Sequence, residues 1–310
     1  IFFMKRVISK KSYIKVLRRP GKPNVRLKDY GIFSSMPRFK RILITGAGSG
    51  IGLDTAFALA RRGHEVIAAT YKENEVTQIK KLAEEEGVHL KVTKLDITQE
   101  AEIRRAAKLE VDVLINNAAI GESGPLLEVP YERVQRLFET NVFGTLRTTQ
   151  IFADAMLKRK KGGRIITVSS VAGRLVIPFL GPYHMSKFAL EAGFDAFRME
   201  LEPEGIWISL IEPGLIYTGF NERMADTKYE WLSAESLYKK NIPAMRHHDS
   251  TLTLRSHGTD SVVKAMIHAV ESNKPKTRYV RPRSYKRVLL ALSFLPTRLR
   301  DKILRRSLGL

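Results

Sequence analysis

The glycine-rich stretch at 45–52 constrains the fold of this chain more than any other feature of its sequence. It follows a short apolar segment, 41–45, and opens a segment whose apolar residues recur at helical spacing, 50–62. Glycines there allow a sharp turn, and the unpaired N–H groups that begin a helix can hold a phosphate. The pattern therefore predicts a strand, a phosphate-binding turn and a helix. A glycine turn without a ligand remains the alternative, because residue 51 is Ile and the strict GxGxxG spacing is not met.

The remainder of the chain alternates between short apolar segments and segments of helical periodicity. We expect strands at 41–45, 64–69, 90–95, 111–115, 164–168, 207–211 and 278–280, and helices at 50–62, 73–86, 98–108, 131–156, 182–201 and 259–271. Strands that are separated by helices pair in parallel. The predicted fold class is therefore α/β, with a doubly wound parallel sheet of the Rossmann type.

The alternation lapses after Pro213 and Gly214. Residues 218–257 are rich in large apolar side chains, including Phe220 and Met224, and are predicted to form a helical insertion. This insertion either packs on the sheet edge or covers an apolar substrate as a lid, and one segment can do both. Its histidines lack the spacing of a metal site, so no metal is expected.

The net charge of +21 is concentrated in two tails. Residues 1–35 contain ten Lys/Arg and one acid, and residues 274–310 contain twelve Lys/Arg and one acid, which leaves 36–273 nearly neutral. A neutral core argues against specific nucleic-acid binding by the fold itself. The sequence has no cysteine, which excludes disulfides, thiolate metal ligands and cysteine catalysis.

The two basic tails flank a single predicted domain at 36–283. The first, 1–35, reads as an extension that is poorly ordered or not native, with a targeting or membrane-surface arm as the alternative. The second, 284–310, has apolar and basic residues at helical spacing but is too short to span a bilayer. It predicts either peripheral contact with an anionic membrane or packing against the pocket or a partner. We expect a cytoplasmic protein that can sit at a membrane surface.

Three polar residues form a candidate proton-transfer device. Tyr183 and Lys187 are four residues apart and fall on one helix face, and Ser170 follows the fifth predicted strand. A cation close to a phenol stabilises the phenolate and lowers its pKa, which ordinarily lies near 10. The phenol can then exchange a proton with an alcohol, and the serine hydroxyl can hold the substrate oxygen. A surface pair is the alternative for an isolated YxxxK.

The end of the second predicted strand bears on cofactor choice. No acid stands there to bind a ribose 2′-hydroxyl, whereas Thr70 and Lys72 offer a hydroxyl and a cation suited to a 2′-phosphate. We therefore expect NADP(H) to be preferred, with NAD(H) possible. A solvated Lys72 at a helix start is the alternative.

Several motifs occur together in an order that resembles one family. They are Thr45–Gly52, Leu95-Asp96-Ile97-Thr98, Asn116-Asn117-Ala118-Ala119, Asn141, Val168-Ser169-Ser170, Tyr183–Lys187 and Pro213-Gly214 with Thr218. Residues 40–281 are similar to the short-chain dehydrogenases/reductases of the TGxxxGxG/YxxxK branch. The resemblance implies a single Rossmann domain with about seven parallel strands and a catalytic tetrad of Asn141, Ser170, Tyr183 and Lys187.

The resemblance also implies a role for each matching residue. Tyr183 would be the general acid/base, Lys187 would bind the nicotinamide ribose, Ser170 would polarise the carbonyl, and Asn141 would hold a relay water. The remaining residues implied in cofactor binding are Gly46, Ser49, Gly50, Ile51, Gly52, Asp96, Ile97, Asn117, Ala118, Ile216 and Thr218.

These observations predict an NAD(P)(H)-dependent oxidoreductase that interconverts an alcohol and a ketone or aldehyde. Phe179, Leu180 and the insertion favour a small apolar substrate, in line with the hydroxysteroid and retinol dehydrogenases that the resemblance suggests. A homodimer or homotetramer is implied by the resemblance. The alternative from another class is a catalytically silent scaffold or regulator that binds the cofactor.

Overall fold

A parallel sheet of seven strands forms the centre of the molecule. The computed structural model describes residues 39–232, 235–254 and 256–307, so the extension predicted at 1–35 lies outside the described residues. The strands follow the order β3-β2-β1-β4-β5-β6-β7, and every neighbouring pair is parallel. Their bounds are Arg41–Ile44 (β1), Glu65–Thr70 (β2), Lys91–Lys94 (β3), Val113–Asn116 (β4), Gly163–Val168 (β5), Ile206–Pro213 (β6) and Arg278–Arg281 (β7).

Both faces of the sheet are buried, which explains why its central strands are almost entirely apolar. In β1, Leu43 points into one hydrophobic cluster, while Ile42 and Ile44 point into another on the opposite face. All three side chains are fully buried. The predicted doubly wound α/β fold is confirmed, including the edge strand β7.

Helices cover the two faces of the sheet. In chain order, the described residues contain the helices α1 (Gly50–Arg61), α2 (Glu73–Glu85), α3 (Glu100–Ala107), α4 (Tyr131–Phe138), α5 (Thr145–Arg159), α6 (Gly181–Leu201), α7 (Phe220–Thr227), α8 (Ile242–Leu254), α9 (Asp260–Glu271), α10 (Ser284–Ser293) and α11 (Thr297–Ser307). Shorter helical turns lie at Val171–Gly173, Lys228–Glu230 and Lys239–Asn241.

The helix predicted at 131–156 is not continuous. A π-helical segment, Glu139–Gly144, separates α4 from α5. The helix is pinned at this point because the Asn141 side chain bonds to the backbone of Ile120. Single π-helical turns of this kind occur frequently at functional sites.

The predicted helical insertion begins at α7 and continues through α8. Met224 of α7 and Met245 of α8 are both buried, so the insertion packs on the body of the protein. The buried Lys228 Nζ donates to Asp249 Oδ2 at 2.7 Å, which joins the two halves of the insertion. Within the described residues, no helix is both long enough and apolar enough to cross a membrane.

Candidate active site

The turn between β1 and α1 approaches the neighbouring backbone closely. Gly46 has a φ of +62°, and a Cβ built on it would lie 2.6 Å from the Cα of Ala118. Gly50 has a φ of +55°, and its Cβ would lie 2.8 Å from the Cβ of Thr218. Only glycine satisfies both the left-handed conformation and the lack of space. The predicted requirement for glycine at these two positions therefore has a direct steric cause.

Side-chain hydrogen bonds tie this turn to the end of β4. Thr45 Oγ1 accepts from the backbone N–H groups of Asn117 and Ala118 at 3.0 and 3.1 Å. The Asn117 amide donates to the carbonyls of Thr45 and Gly46 at 3.1 and 2.8 Å. The carboxyl ends of β1 and β4 are thus held together at the edge of the sheet where doubly wound folds bind ligands.

A cavity of about 690 Å³ opens at this edge. The start of α1 faces it, and Ser49 makes no side-chain cap to the helix, so the first N–H groups of α1 remain available to an anion. Thirteen of the predicted site residues line the cavity, namely Gly46, Ser49, Gly50, Ile51, Asp96, Ile97, Asn117, Ala118, Ser170, Tyr183, Lys187, Ile216 and Thr218. Gly52, Thr70, Lys72 and Asn141 do not line it.

The three polar residues of the predicted device meet at the far end of the cavity. Lys187 Nζ lies 5.6 Å from the centre of the Tyr183 ring and donates to the carbonyl of Val168 at 3.0 Å. Ser170 Oγ donates to the carbonyl of Pro213 at 3.2 Å and accepts from the N–H of Ala172 at 3.1 Å. The strand end at β5 and the first turns of α6 therefore bring a phenol, an amine and a hydroxyl together.

The pKa values of the phenol and the amine are both shifted by burial. Burial raises the pKa of Tyr183, and a hydrogen bond with Ser170 opposes the rise only in part. Burial lowers the pKa of Lys187 to about 8. The sequence predicted that the Lys187 ammonium lowers the pKa of Tyr183. In this structure that prediction is wrong, because the net shift of the Tyr183 pKa is upward. Desolvation outweighs every other effect on the phenol.

Asn141 is buried beside the cavity rather than in its wall. Its side-chain carbonyl accepts from Ile120 N at 2.9 Å, and its amide donates to Ile120 O at 2.9 Å and to Ser186 Oγ at 3.2 Å. The side chain thus fixes the segment after β4 against α6. Its predicted role of holding a relay water stays a prediction.

The region after β2 contains an acid that sequence reasoning missed. The buried Thr70 hydroxyl donates to the Glu75 carboxylate, and a Cβ on Gly48 would lie 2.5 Å from Glu75 Oε2. Glu75 is five residues beyond the strand, so only the fold of the turn brings it back to Gly48. Lys72, by contrast, is exposed at the start of α2.

His184 is a second residue that no sequence motif singled out. One ring nitrogen bonds the carbonyl of Ala172 at 2.7 Å, and the other accepts from Ile177 N at 3.1 Å. Burial lowers the pKa of His184, which favours the neutral ring that this pattern requires. The residue holds the segment after Ser170 against α6.

Two exposed arginines, Arg136 and Arg223, also line the cavity. No motif marked them, because isolated arginines on helices usually face solvent. Within the described residues, no group of three or more His, Asp or Glu side chains could hold a metal ion.

Comparison with known proteins gives consistent matches along most of the chain. The model of the short chain dehydrogenase family matches residues 40–228. The oxidoreductase YbbO of Escherichia coli K12 is 35% identical over 272 residues, which cover 86% of this chain and 94% of that protein. Human retinol dehydrogenase 8 is 31% identical over 253 residues, covering 77% of this chain and 80% of that protein.

Solved structures share the fold. A short-chain dehydrogenase/reductase of Burkholderia phymatum in complex with NAD superposes with a TM-score of 0.72 at 23% identity, over 84% of this chain and 98% of the other. A short-chain dehydrogenase of Burkholderia cenocepacia in complex with NADP gives a TM-score of 0.66 at 23% identity, over 87% and 98%. At 23% identity these superpositions establish a shared fold and nothing about the activity of this chain.

Proposed function

The chain belongs to the short-chain dehydrogenase/reductase family, and we propose that it interconverts an apolar alcohol and the corresponding ketone or aldehyde, with Tyr183 as the general acid/base. Membership of the family makes it an oxidoreductase that acts on CH–OH groups. The convergence of Tyr183, Ser170 and Lys187 in one wall of the cavity, with the glycine turn in another, carries the proposal.

The residues at the glycine turn fit a dinucleotide. The close approach of Gly46 and Gly50 to neighbouring chain and the uncapped start of α1 suit a pyrophosphate, and Asp96, Asn117 and Ala118 would line the adenosine side. Ile216 and Thr218 would lie at the nicotinamide end. A nicotinamide cofactor, when bound, supplies or accepts the hydride at the carbinol carbon.

The protein's own residues manage the proton and the substrate oxygen. Because the pKa of Tyr183 is raised, the phenol is protonated at neutral pH and can donate to a carbonyl oxygen that gains electron density. The Ser170 hydroxyl can hold that oxygen, and Lys187 stabilises the phenolate left behind. A protonated Tyr183 is ready to donate its proton, so the arrangement supports reduction of a ketone or aldehyde directly. Oxidation of an alcohol requires the pKa of Tyr183 to fall once cofactor and substrate occupy the cavity.

The walls beyond the polar trio favour an apolar substrate. The cavity is lined there by Leu175, Ile177, Leu180, Phe220 and Met224. The Tyr183 ring packs 5.8 Å from that of Phe220, so α7 forms one wall beside the reacting groups. The name of the human relative, a retinol dehydrogenase, supports the same class of molecule.

The test is removal of the phenolic hydroxyl. Tyr183→Phe should reduce turnover of ketones and alcohols by at least 10²-fold, the scale of a lost general acid, while cofactor affinity stays within a few-fold. Tyr131→Phe, at an exposed tyrosine on α4, is the matched control and should be unaffected. Near-normal turnover in Tyr183→Phe would overturn the mechanism. Wild-type cofactor binding without turnover of any substrate in a broad panel would favour the silent scaffold.

For the cofactor we propose a preference for NADP(H), with NAD(H) as the weaker partner. Lys72 supports it, because it lies two residues beyond the end of β2 and carries a positive charge that would suit a 2′-phosphate. The Glu75 carboxylate acts against it, since it sits beside Gly48 and repels a phosphate.

The two charges give opposite, measurable effects. Lys72→Ala should weaken NADPH binding about tenfold and leave NADH binding nearly unchanged, whereas Glu75→Gln should strengthen NADPH binding several-fold. Lys80→Ala, an exposed lysine on α2, controls for net charge. Titration calorimetry with both cofactors measures each affinity. Tighter binding of NADH than NADPH by the wild-type protein would contradict the preference.

A further inference from the structure

The last two helices of the described chain present large apolar side chains to solvent. Phe294 is 80% exposed and Leu290 is 58% exposed, and Val288, Leu299 and Ile303 are each more than 40% exposed. Isolated exposed apolar residues are ordinary, but five within sixteen positions are a marked concentration. We call α10 and α11 the C-terminal helix pair.

The face of α10 opposite Leu290 and Phe294 packs on the body of the protein. Leu289 is buried, and the Tyr285 ring fills the space beside Gly214, where a Cβ would lie 2.5 Å from the ring. Leu290 and Phe294, four residues apart, share the outer face. On α11, Leu299 and Ile303 are likewise four residues apart. α10 thus has an anchored inner side, and both helices expose a stripe of apolar side chains.

Basic residues surround these apolar stripes. Lys286, Arg287, Arg298, Arg300, Lys302, Arg305 and Arg306 lie on the helix pair, against a single acid, Asp301. On a helical projection, Lys286 and Arg287 flank the Leu290–Phe294 stripe, and Lys302 and Arg306 flank the Leu299–Ile303 stripe on one side. Apolar side chains between cations are typical of helices that lie in the interface of an anionic bilayer.

Other occupants fit this surface less well. A second copy of the same helix pair would bring two strongly basic surfaces together, and the like charges would repel. A nucleic acid would use the cations but would leave Leu290, Phe294 and Ile303 without apolar contacts, since phosphate contacts dominate such binding. A bilayer satisfies both features, because acyl chains take the apolar side chains while anionic headgroups take the cations.

We propose that the C-terminal helix pair docks on the surface of an anionic lipid bilayer, with Leu290, Phe294, Leu299 and Ile303 inserted among the acyl chains. The helix pair is attached close to the cavity, because Tyr285 of α10 packs on Gly214, which lines it. Docking therefore holds the cavity near the membrane. If the proposed function is also correct, a substrate dissolved in lipid reaches the site without crossing bulk water.

Vesicle co-sedimentation of the full chain tests the docking without any substrate. The wild-type protein should sediment with phosphatidylcholine vesicles that contain phosphatidylserine, and at least tenfold less with phosphatidylcholine alone, because each basic residue near the surface favours anionic lipid. Raising the salt concentration should release it in part, since the electrostatic contribution is screened while the apolar one is not.

Two double variants separate the contributions. Leu290→Ser with Phe294→Ser should weaken binding to anionic vesicles at least tenfold, and Lys302→Gln with Arg306→Gln should remove most of the preference for phosphatidylserine. Leu82→Ser with Lys161→Gln makes the same kinds of change on exposed residues elsewhere and should bind as the wild type does. Circular dichroism melts establish that each variant is folded.

Three results would overturn the proposal. One is a wild-type protein that does not sediment with anionic vesicles. Another is a folded Leu290→Ser/Phe294→Ser variant that binds them as tightly as the wild type. The third is tight binding to duplex RNA that competes fully with vesicles and does not change in that variant, which would assign the basic surface to nucleic acid. Turnover by the enzyme enters none of these measurements, so the docking and the proposed function can fail separately.

Discussion

At the scale of single residues, the sequence predicts that the turn needs glycine at two positions. It does not predict how much a substitution there would cost in stability. A left-handed glycine can often be replaced by alanine at a modest cost, whereas Gly46 also lacks space for a Cβ. Gly87 offers the comparison, because its φ is +61° and nothing lies within 4 Å of a Cβ built there.

Gly87→Ala should therefore cost only the backbone strain, about 1 kcal/mol. Gly46→Ala should cost at least about twice as much in the free energy of unfolding, and should also abolish cofactor binding by moving the turn away from Ala118. Urea unfolding and cofactor titration measure the two effects. Equal destabilisation by the two substitutions would show that the turn can relax around a methyl group.

The buried charge of Lys187 is expected to lower the stability of the folded protein although the residue is needed for activity. Burial lowers its pKa from 10.5 to about 8, so the unfolded chain binds more protons than the folded chain between those values. Stability therefore rises with pH across that window, and below pH 8 the buried charge costs about 3 kcal/mol. Lys187→Met removes that cost but loses the hydrogen bond to Val168, worth about 1 kcal/mol.

We expect Lys187→Met to be inactive yet about 1–2 kcal/mol more stable than the wild type at pH 7. The difference should shrink as pH rises from 8 towards 10.5, because the wild-type lysine loses its charge in the folded state. Other groups such as Lys40, whose pKa is also lowered to about 8, titrate in both proteins and cancel in the difference. A difference that does not vary with pH would show that folding does not lower the pKa of Lys187.

At the scale of elements, periodicity predicted most strands and helices because each buries one face or two against the sheet. It missed the break at Glu139–Gly144, since the bonds that pin it come from Asn141 to Ile120, twenty-one residues away along the chain. It also missed Glu75, which reaches the glycine turn only once α2 has folded back. Contacts that depend on the path of the chain leave no local pattern to read.

The edge strand β7 is attached by a charge cluster that periodicity could not predict. Arg278 bonds Glu191 and Asp195 on α6 and, at 3.1 Å, Glu212 on β6, which is fully buried. Burial raises the pKa of Glu212, because its carboxylate is poorly solvated despite Arg174 at 3.3 Å.

Arg278→Met should destabilise the protein by about 3 kcal/mol at pH 7, because it leaves buried carboxylates with too few partners. Adding Glu212→Gln should recover part of that loss, since a neutral amide needs no counter-charge. Thermal unfolding of both single variants and the double variant forms the cycle. If the effects of the two substitutions on stability are additive, Arg278 supports β7 through packing and not through its charge interaction with Glu212.

At the scale of the whole molecule, a second apolar surface points to self-association. Phe143 and Leu146 lie three residues apart where the π-helical segment meets α5, and Met185 and Phe188 lie three apart on α6. α6 packs against the π-helical segment, so the two pairs belong to neighbouring elements. Large side chains that stay exposed on adjacent helices usually mark a protein interface.

This surface predicts the homodimer or homotetramer that the family resemblance implied. Phe188→Glu should shift the protein towards the monomer in light scattering coupled to size exclusion, because a buried unpaired carboxylate on each copy opposes association. Leu82→Glu, on the exposed side of α2, should leave the mass unchanged. The interface would lie against the elements that carry Asn141 and Tyr183, so loss of the oligomer should also reduce turnover. A wild-type protein that is monomeric at micromolar concentration, or a Phe188→Glu variant of unchanged mass, would place the oligomer interface elsewhere or remove it.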